Sequence, residues 1–271
     1  MPVYSRLQLR QSLGQDWLRD TIVSTTTSSV WGVSGSINVV DSRQADPSLS
    51  SEGMYQRAWI RVAGQNLRVA TFNTGSGAFL SAMLGTIVAS GAEYELHQRV
   101  SPDEKDRVLT DVARSLRFRQ EVTLPSVDGL TLYSLPDSVL AVFDVRYFAD
   151  PTNSMGRSER TVPWFKVVPT GSGSRELRIA PSLGASQTLV IDAVIAGSLG
   201  TGDTATINLP DDEWLLAGAA ARCYSLLERD SPGKEAERYG EHRSRMNLLF
   251  ARKQATYRPA YDYRIQLDEP F

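Results

Sequence analysis

The stretch from Asp211 to Lys253, DDEWLLAGAAARCYSLLERDSPGKEAERYGEHRSRMNLLFARK, decides the fold. Leu215, Leu216, Ala219, Ala220, Cys223, Leu226 and Leu227 recur at helical spacing and form one apolar stripe. Ser231-Pro232-Gly233 interrupts the run. The pattern predicts a second helix restarted there, with Ser231 as N-cap and Pro232 at the first helical position. Ala236, Tyr239, Met246, Leu249 and Phe250 then fall on one side of that helix. A two-helix hairpin cannot bury both stripes against itself, so helices from elsewhere in the chain must cover it.

Two distant segments qualify. Ser5-Arg6-Leu7-Gln8 fits a capping box, Tyr4 and Leu9 are placed to staple it, and Leu9, Leu13 and Trp17 continue at helical spacing to about Arg19. Ser101-Pro102-Asp103-Glu104 has a similar start signature and leads into Val108, Leu109, Val112 and Leu116.

The intervening residues read as strands. Ala58–Val62, Leu67–Phe72 and Ala78–Leu80 are separated by Gly64-Gln65-Asn66 and Asn73–Gly77, and Tyr94-Glu95-Leu96 is expected to close that sheet. A second β segment runs from Phe118 to about Ile207, with strands expected at Leu130–Tyr133, Val139–Phe148, Val162–Val168, Leu177–Ile179 and Thr188–Ala196. Beyond Pro259, Tyr261, Tyr263, Ile265 and Leu267 alternate with polar residues, which is strand periodicity in a terminal arm that needs a neighbour. The expected architecture is α+β. A four-helix bundle is assembled from residues 5–20, 101–117 and 211–256, with antiparallel β modules inserted at 21–100 and 118–210 and an extended arm at 257–271.

Charge and composition narrow the function classes. With 29 basic against 31 acidic residues, nothing global draws the chain to nucleic acid or a membrane surface. The single cysteine, Cys223, excludes an internal disulfide and makes a thiolate metal site a poor expectation. No run approaches the ~18 apolar residues of a membrane span. Met1-Pro2-Val3-Tyr4 lacks a signal-peptide layout, so a soluble protein made in a reducing cytoplasm is expected.

The residues of chemistry are sparse. His97 and His242 are far apart in the proposed order and read as structural. Asp211-Asp212-Glu213 and Asp103, Glu104 and Asp106 sit at helix starts, where dipole stabilisation and capping explain them. Gly75-Ser76-Gly77, Gly171-Ser172-Gly173 and Gly200-Thr201-Gly202 lack the lysine and helix of a phosphate loop and read as turns. No nucleophile elbow, His-Glu-x-x-His or Cys-x-x-Cys appears, so neither a catalytic group nor a cofactor or metal is expected. Trp31, Trp59 and Trp164 could form a carbohydrate platform but at strand positions are more often core or interface residues. Arg238, Arg243, Arg245, Arg252, Lys253 and Arg258 form the one basic concentration. A solvated helix face is the plain explanation, a subunit interface the functional one, and contact with nucleic acid passing through a ring a third.

The runs Ala58-Trp59-Ile60-Arg61-Val62, Leu67-Arg68-Val69 and Tyr94 to Glu104 resemble the first half of tailed-bacteriophage head-to-tail adaptor (connector) proteins. So do Tyr133-Ser134-Leu135-Pro136, Val142 to Tyr147, and Leu209-Pro210-Asp211-Asp212-Glu213-Trp214 with its hairpin. That resemblance implies a structural virion protein of the phage neck, a homo-oligomeric ring of twelve beneath the portal protein and above a downstream tail or nozzle protein. It also implies that Tyr257, Tyr261, Tyr263, Ile265, Leu267 and Phe271 are portal anchors on an arm that orders on docking. Arg238, Arg243, Arg245, Arg252 and Lys253 are the expected subunit contacts. A tail-tube or nozzle component is the nearest alternative, and a carbohydrate-binding tail protein a more distant one.

Overall fold

The computed structural model describes residues 3–27, 36–44, 55, 58–74, 77–82, 89–127, 129–148, 159–170, 175–183 and 187–257. The fold is α+β. Contacts divide it into two compact units, Met1–Val112 with Leu199–Lys253, and Ala113–Ser198 with the residues from Gln254 onward.

In the first unit, β1 (Val3–Ser5) leads into α1 (Arg6–Ser12). The expected capping box is present: Ser5 Oγ accepts from the Gln8 amide at 3.2 Å, and Gln8 Oε1 accepts from the Ser5 amide at 2.9 Å. The single α-helix expected to Arg19 is corrected. From Leu13 to Leu18 the chain widens into a π-helical turn, ended by Arg19 in the left-handed region (φ 52°). The Gly14 carbonyl accepts from both the Arg19 and Asp20 amides. Gly14 also touches the start of the next strand, where an added Cβ would lie 2.1 Å from Thr21 Oγ1, and only glycine lets the two segments meet this closely.

Six strands follow in one antiparallel sheet: β2 (Thr21–Thr25), β3 (Ser36–Val40), β4 (Trp59–Val62), β5 (Gln65–Asn73), β6 (Ala78–Ala82) and β7 (Glu93–His97), in the order β2-β7-β4-β5-β6-β3. The strand read as closing this sheet, Tyr94-Glu95-Leu96, instead lies inside it between β2 and β4. Its burial explains the position, since residues 94–97 are all buried, as an inner strand covered on both faces requires. The sheet's two edges approach at one end, where Thr27 N donates to Val40 O at 2.8 Å and buried Asp41 accepts from Ser24 and Tyr94. Val39, Ile60, Val62, Phe72, Phe79, Tyr94 and Leu96 fill the core.

Helix α2 (Pro102–Ser115) starts with Ser101 Oγ accepting from the Glu104 amide. After the second unit the chain returns through a long strand-and-turn segment to the helical hairpin α3 (Asp212–Asp230) and α4 (Gly233–Tyr257). Asp211 caps α3 by accepting from the Glu213 amide at 2.9 Å. Ser231 ends α3 rather than starting α4, and Pro232 stays outside both helices; Gly233, at φ 57°, turns the chain into α4. Trp214 to Ala221 are buried all round, which makes α3 a central helix rather than a surface one.

Its neighbours reach it through specific contacts. Tyr224 donates to the Trp17 carbonyl at 2.8 Å, and both Phe250 of α4 and Val112 of α2 close over Gly218. A Cβ at Gly218 would meet the Phe250 ring at 2.7 Å and Val112 Cγ1 at 2.8 Å. Gly218→Ala is therefore expected to cost about 1–3 kcal/mol by overpacking, read as a lower urea midpoint at unchanged slope. An unchanged midpoint would mean the three helices do not meet at this residue.

The second unit holds β8 (Arg117–Pro125), β9 (Leu132–Leu135), β10 (Val139–Phe148), β11 (Glu159–Thr161), β12 (Trp164–Pro169), β13 (Arg175–Ala180) and β14 (Thr188–Ala196). A four-stranded sheet, β11-β10-β14-β8, faces a three-stranded one, β12-β13-β9. Val145, Leu189, Ile191 and Ala193 from the first pack on Tyr133, Leu135, Leu177 and Ile179 from the second. Between the units in sequence, β15 (Thr206–Asn208) pairs with β1 and belongs to the first.

Candidate functional site

The basic residues expected at a subunit interface separate into two sets on α4. Arg243 and Lys253 turn inward: Arg243 lies 2.6 Å from Glu228, and Lys253 lies 2.5 Å from Asp211 and 2.6 Å from Glu213. Hydrogen bonds to Asp211 and Glu213 hold the Lys253 ammonium well above its ordinary range. Both side chains staple α4 to α3. Arg238 and Arg245 point outward, and among the described residues neither has an ion-pair partner. Glu241 and Leu248 recur with them at helical spacing, Leu248 is 72% exposed, and Arg252 follows on the same exposed face.

Of the expected portal arm, only Tyr257 is described, as the half-buried last residue of α4. Tyr261, Tyr263, Ile265, Leu267 and Phe271, like Arg258 and Trp31, lie outside the described residues. Trp59 is half-buried under the Arg68 guanidinium, 5.8 Å from the ring, whereas Trp164 on β12 is 47% exposed.

A second cluster escaped the sequence reading. Arg10 on α1, fully buried, donates to both Glu95 oxygens at 2.8 and 3.0 Å and to Asp106 and Asp203 at 3.0 and 2.8 Å. Arg6, one turn earlier, donates to the Thr110 hydroxyl and the Gly200 carbonyl, and Arg61 of β4 donates from one nitrogen, Nη2, to both Asp203 oxygens. Behind Glu95 lies His97, its Nε2 3.0 Å from Glu95 Oε2. Its Nδ1 is 3.0 Å from both Thr21 Oγ1 and Lys105 Nζ. Lys105 also contacts Asp20 at 2.5 Å and Thr21 Oγ1 at 2.6 Å, while Thr21 donates to Asp20.

The protons can be placed by counting. Lys105 as an ammonium spends its three N–H groups on Asp20, Thr21 and His97 Nδ1, so that nitrogen accepts and Nε2–H donates to Glu95. His97 is therefore neutral. Burial pushes its pKa down; the bond to Glu95 pulls the other way, and the Lys105 charge adds to the fall. Burial alone would push the Glu95 carboxyl up, but the bonds from His97 and Arg10 outweigh it and bring it to about 2.

This constellation resembles catalytic machinery in composition and not in access. Arg10, Asp20, His97 and Lys105 are each at most 1% exposed and Glu95 3%, so among the described residues only the edge of Glu95 borders a surface depression and the rest of the cluster is closed off. Cys223 is buried, and burial pushes its thiol up to about 12, which leaves it a poor nucleophile. What the cluster does is tie α1, β2, β7, α2 and the turn at Asp203 together. His242 is likewise packed, its ring 5.1 Å from that of Tyr224. Among the described residues no group of three or more His, Cys, Asp or Glu is arranged to hold a metal, and no helix is long and apolar enough to cross a membrane.

Lys105 was the legible clue, because it shares a helical face with Val108, Leu109, Val112 and Leu116 and so sits on a stripe that must be buried. The chain matches no protein-family model, and no curated protein matches it significantly.

Proposed function

We propose that this chain is a non-enzymatic structural protein of the bacteriophage neck, a ring of twelve copies that joins the portal to the tail. The observation that carries this reading is the outer face of α4. A 25-residue helix held to its neighbour by Arg243 and Lys253 presents Arg238, Arg245 and a 72%-exposed Leu248 outward. A surface of that kind, mixed in charge with one large apolar side chain, suits contact with another protein. The helices gathered on α3 would act as the four-helix bundle of each copy, and the strand units would face the downstream tail or nozzle protein. The segment after Tyr257 would dock on the portal, with Tyr261, Tyr263, Ile265, Leu267 and Phe271 as apolar anchors.

Mixing the purified chain with portal rings tests this directly, with particles viewed by negative-stain microscopy. The full chain is expected to add a ring beneath the portal. A chain lacking Arg258–Phe271 should keep the same thermal midpoint and leave the portal bare. Normal attachment of the truncated chain would remove the arm from the account. Attachment of the full chain to a tail component, with none to the portal, would replace the adaptor reading by the nozzle one.

A further inference from the structure

We propose that the outer face of α4 docks, copy to copy, on an acidic shoulder of the first unit formed by the β4–β5 turn, the start of β7 and the start of α2. This rests on the ring reading above and names the contact that closes the ring.

The shoulder carries a shallow depression of about 220 Å³, lined by Leu7, Ala63, Arg61, Glu93, Glu95 and Asp203 among others. A chain of contacts links it to Asp103, since Arg61 donates to Asn66 at 2.6 Å and Asn66 donates to Asp103. Five carboxylates gather here, Glu93, Glu95, Asp103, Asp106 and Asp203, against three guanidiniums, Arg6, Arg10 and Arg61. The guanidiniums are consumed by Glu95, Asp106 and Asp203. The two charges in excess are Glu93 and Asp103, both exposed, and among the described residues the side-chain partner of each is a neutral amide, Gln11 at 2.7 Å and Asn66 respectively.

Helix α4 is the opposite case. Its span holds six basic residues (Lys234, Arg238, Arg243, Arg245, Arg252, Lys253) against three acidic ones (Glu235, Glu237, Glu241). With Arg243 and Lys253 turned inward, Arg238 and Arg245, which have no ion-pair partner among the described residues, remain on the outer face. Each surface therefore lacks the charges that the other has to spare, and Leu248 would cover Leu7 and Ala63 at the depression.

Nucleic acid is the less suitable occupant. Glu241 stands between Arg238 and Arg245 on the same face, and Leu248 follows one turn on. A phosphate backbone would be repelled by the first and gain nothing from the second. A second copy accommodates both. Because the two surfaces are different patches of one copy, the contact is heterologous, and repetition closes a ring rather than a dimer.

Charge swaps in the full chain, assembled on portal rings and followed by native mass spectrometry and microscopy, test the contact. Glu93→Arg and Arg245→Glu are each expected to reduce ring yield by about tenfold or more while leaving the thermal midpoint unchanged, since both side chains are exposed. An equimolar mixture of the two variants should restore rings of alternating copies, because every α4 then meets a shoulder of opposite charge. Rings from either variant alone, or no recovery in the mixture, overturn the contact while leaving the neck reading standing. Absence of any wild-type ring overturns both.

Discussion

Lys105→Met is expected to lower the free energy of unfolding by about 3–5 kcal/mol, the usual cost of removing one partner from a buried ion pair. Methionine preserves most of the stem, so the loss is not chiefly one of packing. What remains is Asp20, 1% exposed, with Thr21 and the Val100 amide as its donors among the described residues, and His97 Nδ1 without the ammonium that it faced. A charge stranded in this way carries its full desolvation cost. Adding Asp20→Asn to Lys105→Met should recover a large part of the loss, because the amide still accepts from Val100 and no longer carries a charge. Urea denaturation measures both at unchanged slope. A single-variant loss below about 1 kcal/mol would mean that the pair is not buried as described.

The same pair shows where sequence and structure part company. The strands β10 and β14 have the expected bounds, Val139–Phe148 and Thr188–Ala196, because dense β-branched and aromatic runs leave no helical alternative. Strand β8, at the start of the expected β segment, has no counterpart among the expected strands although Phe118, Gln120, Val122 and Leu124 alternate with Arg119, Glu121 and Thr123. Its charged face pairs across the sheet, Arg119 with Asp192 and Glu121 with Arg146, and such pairs dilute the hydrophobic signal. The buried network was not legible for a different reason. Arg10 and Asp203 stand 193 residues apart, and Asp106 had a sufficient local explanation at a helix start. Ionic partners leave no periodicity, so only the misplaced charge on an apolar stripe, Lys105, announces them. The π-helical turn was hidden likewise, since it answers to the approach of Thr21 rather than to any local pattern.

Between pH 7 and pH 3 the chain is expected to lose stability in two stages, and His97→Gln should remove the first. The folded state holds His97 neutral, with its pKa below the ordinary 6.5. As pH falls through 6.5 the unfolded chain takes up a proton there while the folded chain does not. The unfolded state then binds more protons, and stability falls with pH until the folded imidazole titrates too. Glu95 governs the second stage. Its carboxyl is lowered from 4.5 to about 2, so its contribution is complete above 4.5 and is lost as pH falls toward 2. That difference corresponds to about 3 kcal/mol. Asp203, also lowered, adds to the loss, whereas Asp106, raised chiefly by burial, offsets part of it. Protonated His97 would turn an Nδ1–H toward the Lys105 ammonium and the Thr21 hydroxyl, whose own hydrogen is committed to Asp20, so the folded state has no arrangement that accepts the extra charge without breaking a bond. Glutamine offers an amide donor to Glu95 and a carbonyl acceptor but does not titrate, so its stability curve should stay level from pH 7 to about 5 and then fall with that of the wild type. Parallel curves for the two proteins across the whole range would show that His97 titrates alike in the folded and unfolded chain, and a wild-type curve that rises as pH falls through 6.5 would show it charged in the fold.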